Sequence, residues 1–329
     1  MALESKKKVA YLFGAGATHA ELKALKPDLL PEREGLLIRH VSSRVMEKAR
    51  ENENYFRNLE TVSAAGLLNI ELLVSLIENS RIDGWASKTG LLRELVADDI
   101  KAILTPWRLG RFYLHRALLR FHRHRAVRTE EEIIGLISLN YDDVLDRAYR
   151  QQFHAEPNYC FTLDDSMAST SIPLLKLHGS FNWSTIQIRG RRRTIEIIPL
   201  GSTKSYLHAP YASIWNRALE VLIECDTLRV VGCSLSQNDV HLIDLLFKAH
   251  LERQEPFEIE IIASENTGNA IRDNYGFFPE IKTLVNIDNL YFPETDPPNA
   301  FKEWLKYKSI KMLGEARIKR LDYLRNVAE

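Results

Sequence analysis

The sequence predicts an α/β fold: a parallel sheet flanked by helices, with a helical insertion subdomain and a C-terminal helix. Three observations predict it. Short, nearly continuous apolar runs recur at Val9–Phe13, Ile134–Leu139, Ile172–Leu177, Leu228–Gly232 and Phe257–Ala263, as in strands buried on both faces. Helical patterns follow several of them, DDVLDRAYRQ after the second and NDVHLIDLLFKAHLERQ after the fourth, and such alternation builds a parallel sheet. Between the first two strands, NIELLVSLIENS and TGLLRELVADDIKAIL carry apolar residues at three- and four-residue spacing, which is helical rather than strand-like.

Taken in order, Val9–Phe13 runs into GAGATHA, a strand, glycine turn and helix at the start of the fold. Residues 1–44 and 132–295 form the sheet-bearing core. Residues 45–131 form the helical insertion, where strand signals are scarce. Thr185–Ile198 reads as a hairpin with the basic run RGRRR between its two β-rich stretches, and residues 296–329 read as a Lys/Arg-rich helical segment.

Composition narrows the function. The chain has 329 residues, 45% hydrophobic and 27% charged, with no net charge, so a normal core is expected and no global field draws it to nucleic acid or membrane. No apolar run approaches membrane-spanning length. The N-terminal apolar run is too short for a signal sequence and reads as the first strand. Cys160, Cys225 and Cys233 lie in no CxxC pair; they imply neither a disulfide framework nor a zinc cluster. A cytoplasmic location is expected.

The carboxyl ends of the five runs carry the chemistry. They are Gly14-Ala15-Gly16-Ala17-Thr18; Asn140-Tyr141-Asp142-Asp143; His178-Gly179-Ser180; Gly232-Cys233-Ser234-Leu235-Ser236 followed by Asn238-Asp239; and Ser264-Glu265-Asn266. Ligands of open α/β sheets bind in the crevice beyond such ends. Each cluster has a plainer reading. GAGAT fits a tight turn as well as a phosphate-binding helix start. Asn140 and Asp142 fit helix caps. Asp143 and Asp146 read as helix-surface acids, Cys233 as a small packing residue, and a single histidine as a solvated turn residue. Their joint occurrence favours a site.

As a set, GAGAT at 14–18, SLNYD at 138–142, KLHGS at 176–180, GCSLSQND at 232–239 and SEN at 264–266 resemble the Sir2 family. The wording is most similar to the SIR2-like NADases of bacterial antiphage defence systems. The resemblance covers about 8–44 and 132–290. It implies a Rossmann-like core that takes NAD+ as substrate, with no metal. It assigns the pyrophosphate to Gly14, Ala15, Gly16, Ala17 and Thr18, with Gly179 and Gly232 allowing close approach. Ser234 and Asn266 would meet the phosphate and adenine ribose. Asn140, Asp142 and His178 would be catalytic. The implied activity is an NAD+ glycohydrolase yielding nicotinamide and ADP-ribose, a defence effector acting by NAD depletion. The implied partners are further copies of the chain in a homo-oligomer and a HerA-like ATPase or other defence partner. Two rivals stay open: an NAD-dependent protein deacylase or ADP-ribosyltransferase, and a silent scaffold binding a partner ATPase. The chain departs from the deacylases in lacking four zinc-binding cysteines, and from the family's Pro-Asp-Phe-Arg loop, where LLPEREGLL offers only Arg33.

Overall fold

A computed structural model describes residues 6–26, 28–51, 69–79, 86–107, 115–116, 118–119, 122, 131–162, 171–183, 186–188, 191–193, 206, 209–236, 239–253, 257–263, 265–275 and 281–286. The core is a six-stranded, wholly parallel sheet in the order β3-β2-β1-β6-β7-β8. Its strands are β1 (Lys7–Phe13), β2 (Glu131–Ser138), β3 (Leu174–Lys176), β6 (Thr227–Val231), β7 (Glu258–Ala263) and β8 (Ile281–Asn286). The five expected strands are all present. β8 is an addition. A separate antiparallel pair, β4 (Ile186–Ile188) and β5 (Arg191–Arg193), forms the expected hairpin. Arg191, Arg192 and Arg193 form its second strand.

Two layers of helices cover the sheet. On one face lie α1 (Ala15–Leu25), α3 (Ile38–Arg50), α4 (Ile70–Asn79), α5 (Ala86–Leu104) and α6 (Val144–Phe153), after a short α2 (Pro31–Glu34). They pack on Val9, Tyr11, Phe13, Leu136 and Leu174, the outward alternation of β1–β3. On the other face, α7 (Tyr211–Glu224), α8 (Val240–Glu252) and α9 (Glu265–Asn274) pack on Ala10, Leu12, Ile137, Leu175, Leu228 and Val230. β1 to β3 are therefore wound with helices on one side and β6 to β8 with helices on the other. The winding reverses between β1 and β6, and that reversal opens a crevice at their carboxyl ends. The elements described between 45 and 131 are helical, and α3 begins before that stretch. The expected C-terminal helix at 296–329 lies outside the described residues. No described helix is long and apolar enough to cross a membrane.

One polar cluster crosses the sheet interior. Arg229 is fully buried, with Nη2 2.6 Å from Glu131 and Nε 2.6 Å from Glu260. Its Nη1 also reaches the Tyr11 hydroxyl at 3.1 Å. Two carboxylates and a phenol satisfy the guanidinium where water is excluded, as a buried charge requires. The cluster ties β1, β2, β6 and β7 together below the crevice.

Candidate functional site

A pocket of about 700 Å³ opens over the ends of β1, β2 and β6. Gly14, Ala15, Gly16, Asn140, Asp142, His178, Gly232 and Ser234 all line it. Sequence positions more than 200 apart thus meet in one crevice. Ala17, Thr18 and Gly179 sit outside the lining. The side chain of Asn266 lies outside the described residues, and its neighbour Thr267 lines the pocket.

Packing dictates the glycines. A Cβ on Gly14 or Gly16 would fall 2.7 Å from the Cys233 Cα or 2.6 Å from the Gly232 carbonyl oxygen. Gly232 has φ +57°, and a Cβ there would lie 2.1 Å from the Ala17 nitrogen. The α1 turn and the end of β6 are therefore pressed together. Their amides are engaged as well: Gly14 N–H donates to the Val231 carbonyl at 3.0 Å, Gly16 N–H to Gly232 at 2.8 Å and Ala17 N–H to Gly14 at 2.9 Å. Gly179, with φ +80°, leaves its Cβ space to the Tyr211 hydroxyl, which would sit 2.5 Å away. That glycine serves the packing of α7.

Asn140 is buried at the end of β2. Its Nδ2 donates to the Gly14 carbonyl and to the Thr18 hydroxyl, both at 3.0 Å. The amide nitrogen clamps β2 to the α1 turn, so Oδ1 is the atom left for a ligand. Asp142 accepts the Val144 N–H at 3.0 Å on Oδ1 and so caps α6 while lining the pocket. Burial pushes its carboxyl above the ordinary carboxylate value, against the opposing pull of Lys176, Val144 N–H and the Thr18 hydroxyl.

His178 is 4% exposed. Its Nδ1 lies 3.1 Å from the Leu139 carbonyl oxygen, which can only accept, so Nδ1 carries a proton. Its Nε2 lies 3.3 Å from Asp239 Oδ2. With Nδ1 protonated, Nε2 is the basic nitrogen of the ring, and a proton that it accepts would lie between it and Asp239 Oδ2. The His178–Asp239 pair lines the pocket, and Asp239 also caps α8 by accepting the Leu242 N–H at 3.4 Å.

A buried lysine holds the loops that carry these groups. Lys176 Nζ donates to the Asp142 carbonyl, to Ser180 Oγ at 2.6 Å and to Asp146 Oδ2 at 3.0 Å. The Tyr159 hydroxyl donates to the other oxygen of Asp146. Asp146 is fully buried, not a surface acid. It balances Lys176, which lies beneath the His178 turn.

Sequence reasoning gave no role to five residues that line the pocket: Asp239, His19, Lys23, Arg39 and His40. Asp239 was visible only as part of a motif, since nothing in its spacing points at His178. Arg33 is exposed and does not line the pocket, whereas Arg39 and His40 on α3 and His19 and Lys23 on α1 do. The cysteines are all buried and form no disulfide, and among the described residues no group of three His, Cys, Asp or Glu could hold a metal.

Residues 135–265 match the family model of a SIR2-like domain. The SIR2-like match spans less than half of the chain, from β2 to the start of α9. It contains Asn140, Asp142, His178, Gly232, Ser234 and Asp239, while the α1 turn lies before it. The chain is also similar to a solved structure described as "Structural Basis for the Mechanism and Regulation of Sir2 Enzymes", at 14% identity, over 93% of this chain and 95% of that one, with a TM-score of 0.35. No curated protein matches the chain.

Proposed function

We propose that this pocket hydrolyses the nicotinamide–ribose bond of NAD+, releasing nicotinamide and ADP-ribose, and that the protein acts as an NAD-depleting effector in antiphage defence. One observation carries the chemical part: the His178–Asp239 pair, 3.3 Å apart, stands in the same crevice as Asn140 Oδ1, at the point where the sheet reverses its winding. The SIR2-like match over these residues supports NAD as the substrate.

The reaction breaks the C1′–N bond, with the bonding electrons leaving on a neutral nicotinamide and an oxocarbenium-like ribose left behind. It needs positioning more than a strong acid. Asn140 Oδ1 orients a ribose hydroxyl or the attacking water. Asp142 accepts from the nicotinamide carboxamide and favours its departure. Water adds to C1′ and gives its proton to His178, whose imidazolium Asp239 then holds. Ser234 and Asn266 are assigned to the phosphate and adenine ribose.

His178→Ala tests this, read by thermal stability and by nicotinamide release at saturating NAD on the same sample. Loss of a general base costs about 10²–10⁴ in rate. The account expects a folded variant that has lost turnover by that factor and still binds NAD. A stable variant with wild-type turnover would remove His178 from the mechanism.

A further inference from the structure

The far wall of the pocket is built from two cations and two neutral imidazoles. His19 and Lys23 on α1 and Arg39 and His40 on α3 all line it. The two imidazoles lie 5.4 Å apart, centroid to centroid. Lys23, Arg39 and His40 all act on His19, and together with burial they hold it at about 4. Arg44, also on α3, is occupied by Asp99 at 2.7 Å and by the Gly35 carbonyl at 2.8 Å. The acids on this side are Glu32, which is exposed and acts on His40, and Glu71, which lines the pocket on α4.

Two further features point the same way. α3 starts at this wall with no side-chain cap and no acid in its first turn. Its first-turn residues Ile38, Arg39 and His40 line the pocket. The positive end of a thirteen-residue helix is thus combined with cations, which is unfavourable unless an anion joins them. His40 is 8% exposed, and its Nε2 accepts from Arg39 Nε at 3.1 Å. The remaining ring nitrogen, Nδ1, therefore carries the proton, and it has no partner. A buried donor without an acceptor is costly in the empty protein. By contrast, the amides of Gly14, Gly16 and Ala17 are already engaged within the fold, so they cannot supply the charge balance a diphosphate needs.

We propose that His19, Lys23, Arg39 and His40, with the N-terminus of α3, form a phosphate-binding subsite that holds a phosphate of the dinucleotide. The subsite rests on the reading of this pocket as a dinucleotide site. It moves the main phosphate contacts from the glycine turn to the opposite wall. The phosphate is either part of the pyrophosphate or an added 2′-phosphate, and the ligands below separate these two.

The test is calorimetric titration of the full chain with ADP-ribose, 2′-phospho-ADP-ribose and adenosine. Arg39→Gln and the double variant Arg39→Gln/Lys23→Gln are compared with wild type, with melting temperature as the fold control. Charge-assisted contacts to phosphate are strong, so each lost cation should weaken binding about tenfold, with adenosine unaffected. Equal losses for both ADP-ribose forms identify the pyrophosphate; a loss confined to the phosphorylated form identifies the 2′-phosphate. Unchanged binding of both in the double variant overturns the subsite, as does failure of the wild type to bind either. Nicotinamide release is measured separately. Its absence alongside Arg39-dependent ADP-ribose binding would sink the cleavage reaction and leave the subsite standing.

Discussion

Replacing Asn140 by alanine separates clamping from chemistry, because the structure sets the size of the first. The substitution removes two hydrogen bonds of 3.0 Å, to the Gly14 carbonyl and the Thr18 hydroxyl. Neither acceptor is orphaned: the Gly14 carbonyl keeps the Ala17 N–H, and the Thr18 hydroxyl keeps its bond to Asp142. At about 0.5–1.5 kcal/mol net per bond, the loss is about 1–3 kcal/mol. Against a stability of roughly 5–15 kcal/mol, nearly all molecules stay folded at 25 °C. Unfolding can therefore explain a few per cent of lost activity at most. Loss of the Oδ1 contact to the ribose hydroxyl or water should reduce turnover about 100-fold or more. The assay pairs a urea titration with nicotinamide release at saturating NAD. Ile259→Val, in the core at the start of β7, is the control: it costs about 0.5–1.5 kcal/mol and should leave turnover unchanged. A folded Asn140→Ala protein that turns over NAD within a few-fold of wild type would refute the reasoning.

Three further outcomes follow from the same geometry. Gly232→Ala should destabilise by about 3 kcal/mol or more or fail to fold, because its Cβ meets the Ala17 backbone nitrogen at 2.1 Å and its φ is +57°; a urea midpoint close to wild type would contradict the packing described. His19 titrates at about 4 in the fold against 6.5 unfolded, chiefly through burial and then through His40, Lys23 and Arg39. The unfolded chain then binds more protons between those values, so stability should fall by about 3 kcal/mol as pH drops from 6.5 to 4, and His19→Gln should flatten that slope. Burial pushes the Cys225 and Cys233 thiols up to about 12, so iodoacetamide at pH 8 should leave both unmodified until the protein is denatured; rapid labelling of either in the native state would count against the packing around them.

The central strands were legible because they are short apolar runs followed by polar or glycine clusters. β8, at the sheet edge, was not, since Ile281-Lys282-Thr283-Leu284-Val285-Asn286 is neither a continuous apolar run nor a strict alternation. α7 was passed over for lack of a flanking signal, although Ile214, Trp215, Ala218, Val221 and Leu222 bury one helical stripe. Residues from four of the five strand-end clusters line one crevice, but their individual partners depend on tertiary contacts. Asp146 looks like a surface acid until Lys176, thirty residues away, is buried against it. Asp239 gains meaning only when α8 brings it to His178. The glycine turn fits a tight turn and a phosphate cradle alike in sequence, and the fold adds that Gly14 and Gly16 pack against the end of β6. The cations of α1 and α3 carry no motif, so only the fold could bring them together.

The most direct test of the account is to incubate the purified full chain with NAD alone, then with NAD and an acetylated peptide, and to quantify nicotinamide and ADP-ribose. The account predicts equal amounts of both products from NAD alone, with no dependence on the peptide and no formation in His178→Ala. Saturable NAD binding with the dinucleotide left intact, or nicotinamide release only when the peptide is present, would contradict it.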